Sequence, residues 1–168
     1  MKMICLIFLI NIFLSSTSSS YGSQKLPDFS YYRVKETDIM QGKPKPVDLS
    51  SYEGAKKYKT RLNEGAKAGP NFAGHYRIVS YGCGTQCQDN WVIDEQTGKI
   101  IDRFESVIGS KYELESTLLI INPPDEDFKK AYDEHPEQPI LGEMETIGKV
   151  IKNGKFEFVF RDKWVNVK

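Results

Sequence analysis

The strongest constraint on the fold of this 168-residue chain is a pair of cysteines, Cys83 and Cys87, in one short segment, Tyr81-Gly82-Cys83-Gly84-Thr85-Gln86-Cys87-Gln88. A bond between two cysteines so close in sequence forces the backbone into a tight turn, and glycines adopt the angles that such a turn needs. The same two thiols could instead supply a nucleophile or two metal ligands. The compartment in which the chain folds decides between these interpretations.

The first 22 residues have the features of a secretory signal peptide. Lys2 supplies the positive charge, residues 3–14 are apolar apart from Asn11, and small residues favour cleavage after Gly22 or Ser20. The apolar run of about 12 residues is shorter than the roughly 20 that a spanning helix needs, so we expect no stable membrane insertion after cleavage. The sequence therefore predicts an exported protein, periplasmic or extracellular.

Export changes what the cysteines mean. The third cysteine, Cys5, lies within the signal and leaves with it. An even pair then remains in an oxidising compartment, where a disulfide between Cys83 and Cys87 is the simplest interpretation. Its loop is short, so we expect it to fix the turn more than to hold the whole domain together.

The charge balance argues against a nucleic-acid partner. Loss of Lys2 with the signal leaves 22 basic and 23 acidic residues, and the basic residues form no stripe that could neutralise phosphates. The remaining length suits one domain, which we place at residues 49–168 behind an extended arm at 23–48. We expect the arm's aromatic residues, Phe29, Tyr31 and Tyr32, to pack onto that domain.

A helix is predicted from Ser50 onward. Ser50 and Glu53 match a capping box, and an apolar stripe follows at helical spacing. The residues of this stripe are Ala55, Tyr58, Leu62 and Ala66. Gly65, Gly69 and Pro70 then supply positions at which the helix can end.

Short strands are predicted for most of the remainder. They comprise Gly74 to Tyr81, a hairpin of Trp91 to Asp94 with Lys99 to Phe104, Ser116 to Ile121, and a second hairpin around Asn153-Gly154. Alternation in its last strand predicts Phe156, Phe158 and Phe160 on one face. A short helical turn is predicted around Phe128. The fold class is therefore α+β, with one N-terminal helix packed on an antiparallel sheet of five to seven strands that includes β-hairpins.

One part of the chain resembles a known group of proteins. The segments Asn71-Phe72-Ala73-Gly74-His75-Tyr76-Arg77-Ile78-Val79, Gly82-Cys83-Gly84-Thr85-Gln86-Cys87-Gln88 and Thr97-Gly98-Lys99 are similar to segments of small exported bacterial proteins of unknown activity. The resemblance covers roughly residues 69–121. It implies a bacterial, exported, single-domain protein, and it implies no substrate, cofactor or catalytic residue.

Binding is the function that the sequence favours, because a stiffened turn and neighbouring aromatic residues are present without a convincing catalytic set. We expect a module that recognises a protein or envelope component, for example as an inhibitor or immunity-type protein. Besides the two cysteines, the candidate binding residues are His75, Arg77, Tyr81, Gly84, Thr85, Gln86, Gln88 and Trp91. No cofactor is predicted.

Two other functions stay open from the sequence alone. A small envelope hydrolase or transferase could use Cys83 or Cys87 with His75 as base, although the order of residues does not match papain-type enzymes. A zinc site recruiting these residues and His135 would need a ligand spacing unlike the common ones, so no metal is predicted. The third option is a structural envelope protein without a discrete ligand.

Overall fold

The structure is a computed structural model, and it describes residues 26–125 and 144–163 together with positions 127, 130 and 134. The predicted signal peptide and the predicted turn around Phe128 lie outside the described residues. Within the described part the strands are β1 Tyr76–Gly84, β2 Cys87–Asp94, β3 Ile100–Ser106, β4 Ser110–Tyr112, β5 Leu118–Ile121, β6 Glu145–Lys152 and β7 Lys155–Lys163. The α-helix is α1, Lys59–Ala66, and short 3-10 turns occur at Phe29–Tyr32, Glu36–Asp38 and Ala55–Tyr58.

The α+β class is confirmed, but the strands form two sheets rather than one. The described strands make an antiparallel sheet in the order β1-β2-β3 and a second antiparallel sheet in the order β4-β5-β6-β7. The prediction of one sheet with five to seven strands is therefore wrong. The sequence marked the hairpins through their turns, whereas the division into two sheets depends on contacts between distant segments.

The predicted helix starts later than its capping box indicated. Asp48, not Ser50, organises this turn, because its Oδ1 accepts the Ser50 amide at 2.9 Å. Gly54 then adopts a left-handed backbone with a φ of +79°, so helical structure begins only with the 3-10 turn at Ala55. A prediction of a helix at the N-terminal end of the folded part is thus wrong, since residues 26–54 precede it. The apolar stripe itself is confirmed, with Leu62 fully buried.

Three layers of apolar side chains hold the elements together. The central layer lies between the two sheets and joins residues such as Ile78, Val92 and Leu119. A second layer packs α1 onto the outer face of the β1-β2-β3 sheet, around Trp91 and Leu62. A third layer packs the arm onto the outer face of the second sheet, and its members are Leu118, Ile120 and Val150 with Leu26, Phe29, Tyr32 and Phe160. Strand β5 is buried at all four positions because both of its faces are covered.

The last strand breaks the predicted alternation. The register between β6 and β7 shifts between Gly148 and Lys149. Gly148 pairs with Phe160 and Lys149 pairs with Phe158, so Val159 is an extra residue in β7. Phe156 packs into the central layer and Phe160 into the arm layer, while Phe158 is 59% exposed. The prediction that Phe156, Phe158 and Phe160 share one face is therefore wrong, and the bulge is the reason.

The arm contacts both sheets. The Tyr32 carbonyl accepts the Thr117 amide at 2.8 Å, next to β5, and the Asp48 amide donates to the Gly98 carbonyl at 2.8 Å, in the β2–β3 turn. Gly98 is required there, because its φ is +79° and a Cβ would overlap the Pro46 carbonyl oxygen. Phe29 and Tyr32 pack as expected, whereas Tyr31 is 84% exposed.

Candidate functional site

The β1–β2 hairpin ends in a disulfide-closed tip. Cys83 and Cys87 form a disulfide with their Cα atoms 5.1 Å apart, as the sequence predicted. The ladder pairs Gly82 with Gln88 and then Gly84 with Cys87, so Cys83 is an extra residue at a bulge. Two residues, Thr85 and Gln86, make the turn itself. We call residues 82–88 the hairpin tip.

The backbone of the tip uses unusual angles that the sequence accommodates. Gly84 has a φ of +147°, which favours glycine, and Gln86 has a φ of +53°, which is uncommon for a residue with a Cβ. Thr85 and Cys83 are exposed, and so is Gln88 on the returning strand. The tip therefore presents a short covalent ring in which Cys83, Gly84 and Thr85 are exposed to solvent.

Directly beneath the tip lies a buried carboxylate with four donors. Arg103 binds Asp89 through two parallel hydrogen bonds, from Nε to Oδ1 at 2.8 Å and from Nη2 to Oδ2 at 3.0 Å. Asp89 Oδ2 also accepts the Tyr81 hydroxyl at 2.7 Å and the Trp91 indole at 3.0 Å. A carboxylate held by several donors is strongly favoured in its charged form. This network connects all three strands of the sheet.

The ionisation of the network follows from these contacts. Burial raises the pKa of Asp89, but the hydrogen bonds from Arg103, Tyr81 and Trp91 outweigh burial and leave the pKa below its ordinary value. Burial and the hydrogen bond to Asp89 raise the pKa of Tyr81 well above its ordinary range. The Asp89 carboxylate likewise raises the pKa of Arg103. Asp89 and Arg103 are therefore charged, and Tyr81 is neutral, across the physiological range.

Aromatic rings cover this network on the helix side. Tyr58, the last residue of the 3-10 turn before α1, stacks on Tyr81 with ring centroids 5.7 Å apart, and its ring centroid lies 5.2 Å from that of Trp91. The Arg61 guanidinium also sits over the Tyr81 ring, 4.5 Å from its centroid. Such stacking is worth about 0.5–1.5 kcal/mol per aromatic pair beyond burial. The tip thus rises from a rigid, fully bonded base.

The structure separates the other sequence candidates from the tip. His75 and Arg77 lie at the opposite end of β1, where the His75 carbonyl accepts the Glu95 amide at 3.0 Å. Trp91 is fully buried, so its ring supports the hairpin from below. Tyr81 lies in β1 between Arg77 and the tip, and it is partly exposed. The eight candidates therefore fall into an exposed tip, a central network and a remote polar cluster.

The remote cluster contains a buried carboxyl without a hydrogen bond. Glu95 is 0% exposed, and neither of its carboxyl oxygens has a partner among the described residues. Burial raises the pKa of Glu95 to about 7, although the charge of Arg77 acts in the opposite direction. The Nε atom of Arg77 and the Nδ1 atom of His75 are also buried without a partner there. The carboxyl of Glu95 is thus mainly neutral below pH 7.

This geometry does not assemble a cysteine–histidine pair. Both cysteine sulfurs are in the disulfide, and eight residues of mostly extended chain, about 26 Å at 3.3 Å per residue, separate Cys83 from His75. Among the described residues no group of three or more His, Cys, Asp or Glu is arranged to hold a metal ion. His135, the fourth residue considered for zinc, lies outside the described part.

Sequence reasoning missed the residues that support the tip. Asp89 and Arg103 are separated by 14 positions and meet only because β2 and β3 pair in this register. A signal was present, since Asp89 lies two residues before Trp91, on the same face of a strand that is otherwise apolar on that face. Tyr58 belongs to the apolar stripe of the predicted helix, and no local pattern in the sequence links it or Arg61 to the hairpin.

Comparison with known proteins adds no family. No protein-family model, no curated protein and no solved structure matches the chain. In the part of the chain that the structure describes, no helix has both the length and the apolar character needed to cross a membrane. What can be said about function therefore follows from the hairpin and its base.

Proposed function

We propose that this protein is an exported binding module that recognises a polypeptide partner with the tip of the β1–β2 hairpin. An inhibitor or immunity-type protein acting on an envelope or secreted enzyme is one concrete form of such a module. The observation that carries the proposal is the combination of an exposed, covalently closed tip with a buried charged network directly beneath it.

Rigidity is what makes the tip suited to binding. Association requires that mobile groups become ordered, and each side chain immobilised at an interface costs roughly 0.5–1.5 kcal/mol. At the tip, the disulfide and the bonds of Asp89 fix the backbone before any partner arrives. A protruding, preordered loop of this kind fits a cleft or groove on another protein, as in enzyme inhibitors that act by occupying an active site.

Export is part of the proposal and rests on two observations. The first 22 residues have the composition of a signal peptide, and the disulfide is of the kind that persists outside the reducing cytosol. The partner is then a protein of the envelope or the extracellular space. The small excess of acidic residues in the mature chain favours neither nucleic acid nor an anionic surface as that partner.

The two alternatives receive less support. A cysteine–histidine enzyme needs a free thiol beside its base, and the observed disulfide and the distance to His75 both oppose this arrangement. A structural envelope protein without a ligand does not require a stiffened, exposed tip on a charged base. The structural alternative predicts that no specific partner contacts the tip, so crosslinking from the tip distinguishes it from the binding module.

Site-specific crosslinking tests the proposal. A photoreactive amino acid is placed at Thr85, which is exposed at the tip, and in a matched variant at Lys155, which is exposed at the end of the β6–β7 hairpin. Both proteins are exposed to light in the envelope fraction of the organism that carries the gene. We expect a discrete adduct from Thr85 only. Absence of that adduct, or the same adduct from Lys155, would refute recognition by the tip.

A further inference from the structure

Strand β1 lies at the edge of its sheet, and part of this edge is already closed by the chain itself. The backbone of Tyr76 exchanges hydrogen bonds with Phe72, with distances of 2.9 Å and 3.0 Å. Two residues further along β1, the side chain of Asn71 makes the hydrogen bonds that a neighbouring strand would make. Its Oδ1 accepts the Ile78 amide at 2.8 Å, and its Nδ2 donates to the Ile78 carbonyl at 3.1 Å. These contacts show which side of β1 faces outward.

The next two outward positions have no such partner. Alternate residues of a strand direct their backbone groups to the same side, so Ser80 and Gly82 face outward like Tyr76 and Ile78. Both residues are exposed, and none of the described residues bonds to their outward N–H and C=O groups. Edges with unpaired backbone groups are templates for another strand. We call residues 80–84 the open edge.

The surroundings of the open edge leave room for a strand and favour acidic side chains. Ser80 and Gly82 are both exposed, and a Cβ placed at Gly82 would meet no atom within 4 Å, so the face of the sheet is also open at this position. Tyr81 lies between the two outward residues, and the Arg61 guanidinium rests on its ring at 4.5 Å. No carboxylate pairs with Arg61 in the described part of the chain, and the neighbouring Lys57 is also exposed. A residue added opposite Tyr81 would therefore lie beside an uncompensated positive charge.

We propose that the open edge of β1 binds an extended, acidic polypeptide segment, which joins the sheet as a fourth strand beside the disulfide-closed tip. This inference rests on the proposed binding function and specifies its mode. Backbone hydrogen bonds from Ser80 and Gly82 supply the pairing, and Arg61 selects a Glu or Asp side chain on the partner strand.

A defined peptide tests the edge without knowledge of the natural partner. The probe is an acetylated, amidated seven-residue peptide that alternates Thr and Glu, and its control has Lys in place of every Glu. Amide hydrogen exchange of the mature protein is followed by NMR. We expect the Glu peptide to slow exchange at Ser80 and Gly82, while the Tyr81 amide, already paired with Asp89, changes little. The Lys peptide should bind about fivefold more weakly, the upper end of what one exposed ion pair contributes.

Two variant pairs make the test specific. Arg61→Ala should remove the difference between the two peptides, whereas Lys59→Ala, an exposed change on the same helix, should leave it intact. Gly82→Pro deletes an outward N–H and should abolish protection by the Glu peptide, whereas Gly82→Ala keeps the N–H and should retain it. No protection at Ser80 and Gly82 at the highest soluble peptide concentration would overturn the inference, and so would equal binding of the two peptides.

The outcome can be separated from the proposed function. If the Thr85 adduct forms equally in wild type and in Gly82→Pro, the tip binds a partner and the open edge does not contribute. If the adduct forms in wild type and in Gly82→Ala but not in Gly82→Pro, both proposals are supported.

Discussion

Removal of the disulfide gives the sharpest test of how the tip is built. The two cysteines are four positions apart, and for a closed loop of about five residues the chain-entropy relation gives about 2 kcal/mol at 25 °C. Little else should be lost in the variant Cys83→Ser with Cys87→Ser, because Cys83 is exposed and the ladder continues at the Gly82–Gln88 pair. The expected decrease in the free energy of unfolding is therefore about 2 kcal/mol.

Urea unfolding followed by far-ultraviolet circular dichroism measures this difference. The wild-type protein in reducing buffer should match the double variant, because both lack the same crosslink. Leu62→Ala serves as a control for the core: Leu62 is fully buried, so its truncation should cost about 2–5 kcal/mol. Amide exchange in the double variant should accelerate at Gly84, which belongs to the last pair of the ladder, and remain slow at Trp91.

One result would refute the reasoning. A loss clearly above 4 kcal/mol, or a double variant that does not fold, would show that the crosslink holds the sheet together rather than the tip alone. In that case the network of Asp89 would not be the independent base that its hydrogen bonds indicate, and the role assigned to the tip would need to be withdrawn.

Three further predictions address the rest of the molecule. Burial raises the pKa of Glu95 to about 7, so the folded state binds the proton of this carboxyl more tightly than the unfolded state does. The stability that this proton contributes is fully present below the unfolded pKa of Glu95, about 4.5, and is lost as pH rises through 7. Glu95→Gln should flatten the decrease in urea midpoint between pH 5 and pH 8, and an unchanged slope would contradict this. Asp89→Asn should lower the free energy of unfolding in urea by about 2 kcal/mol. This is less than the 3–5 kcal/mol expected for a fully buried ion pair, because the Arg103 side chain is 34% exposed. An unchanged free energy of unfolding would show that the network does not stabilise the fold. Gly98→Ala should speed amide exchange at Asp48, since a Cβ there overlaps the Pro46 carbonyl, and unchanged exchange would argue against that contact.

Local signals in the sequence predicted the hairpins well. The Asn153-Gly154 turn is formed as expected, with positive φ values at both residues, and β6 and β7 flank it. The hairpin of β2 and β3 was also predicted, although both strands extend further. These elements are determined by residues close together in the chain, which is why a single sequence is enough to identify them.

Competition between neighbouring residues limited the helix prediction. Ser50 and Asp48 are both suitable for the start of a turn, and the pattern alone does not rank them. The structure uses Asp48 for the turn and gives the Ser51 hydroxyl a different function, because its Oγ accepts the Ile100 amide at 2.8 Å. That contact joins residues 49 positions apart, and no local rule contains it.

The candidate site was predictable only at its tip. Two cysteines four positions apart in a chain predicted to be exported indicate a closed turn directly. The pairing of Asp89 with Arg103, and the placement of Arg61 over Tyr81, follow from strand register and helix packing instead. Trp91 was expected at the binding surface, yet the helix and its neighbouring aromatic rings cover it completely.

The arm has a consequence for the order in which the molecule assembles. The Phe29 carbonyl accepts a hydrogen bond from the Ser116 hydroxyl, which lies 87 positions further along the chain. The Tyr32 carbonyl accepts hydrogen bonds from Thr117. The segment synthesised early is therefore among the last to reach its final place, because its partners do not yet exist when it emerges. The arm can therefore pack onto the second sheet only after residues 116 and 117 have been synthesised.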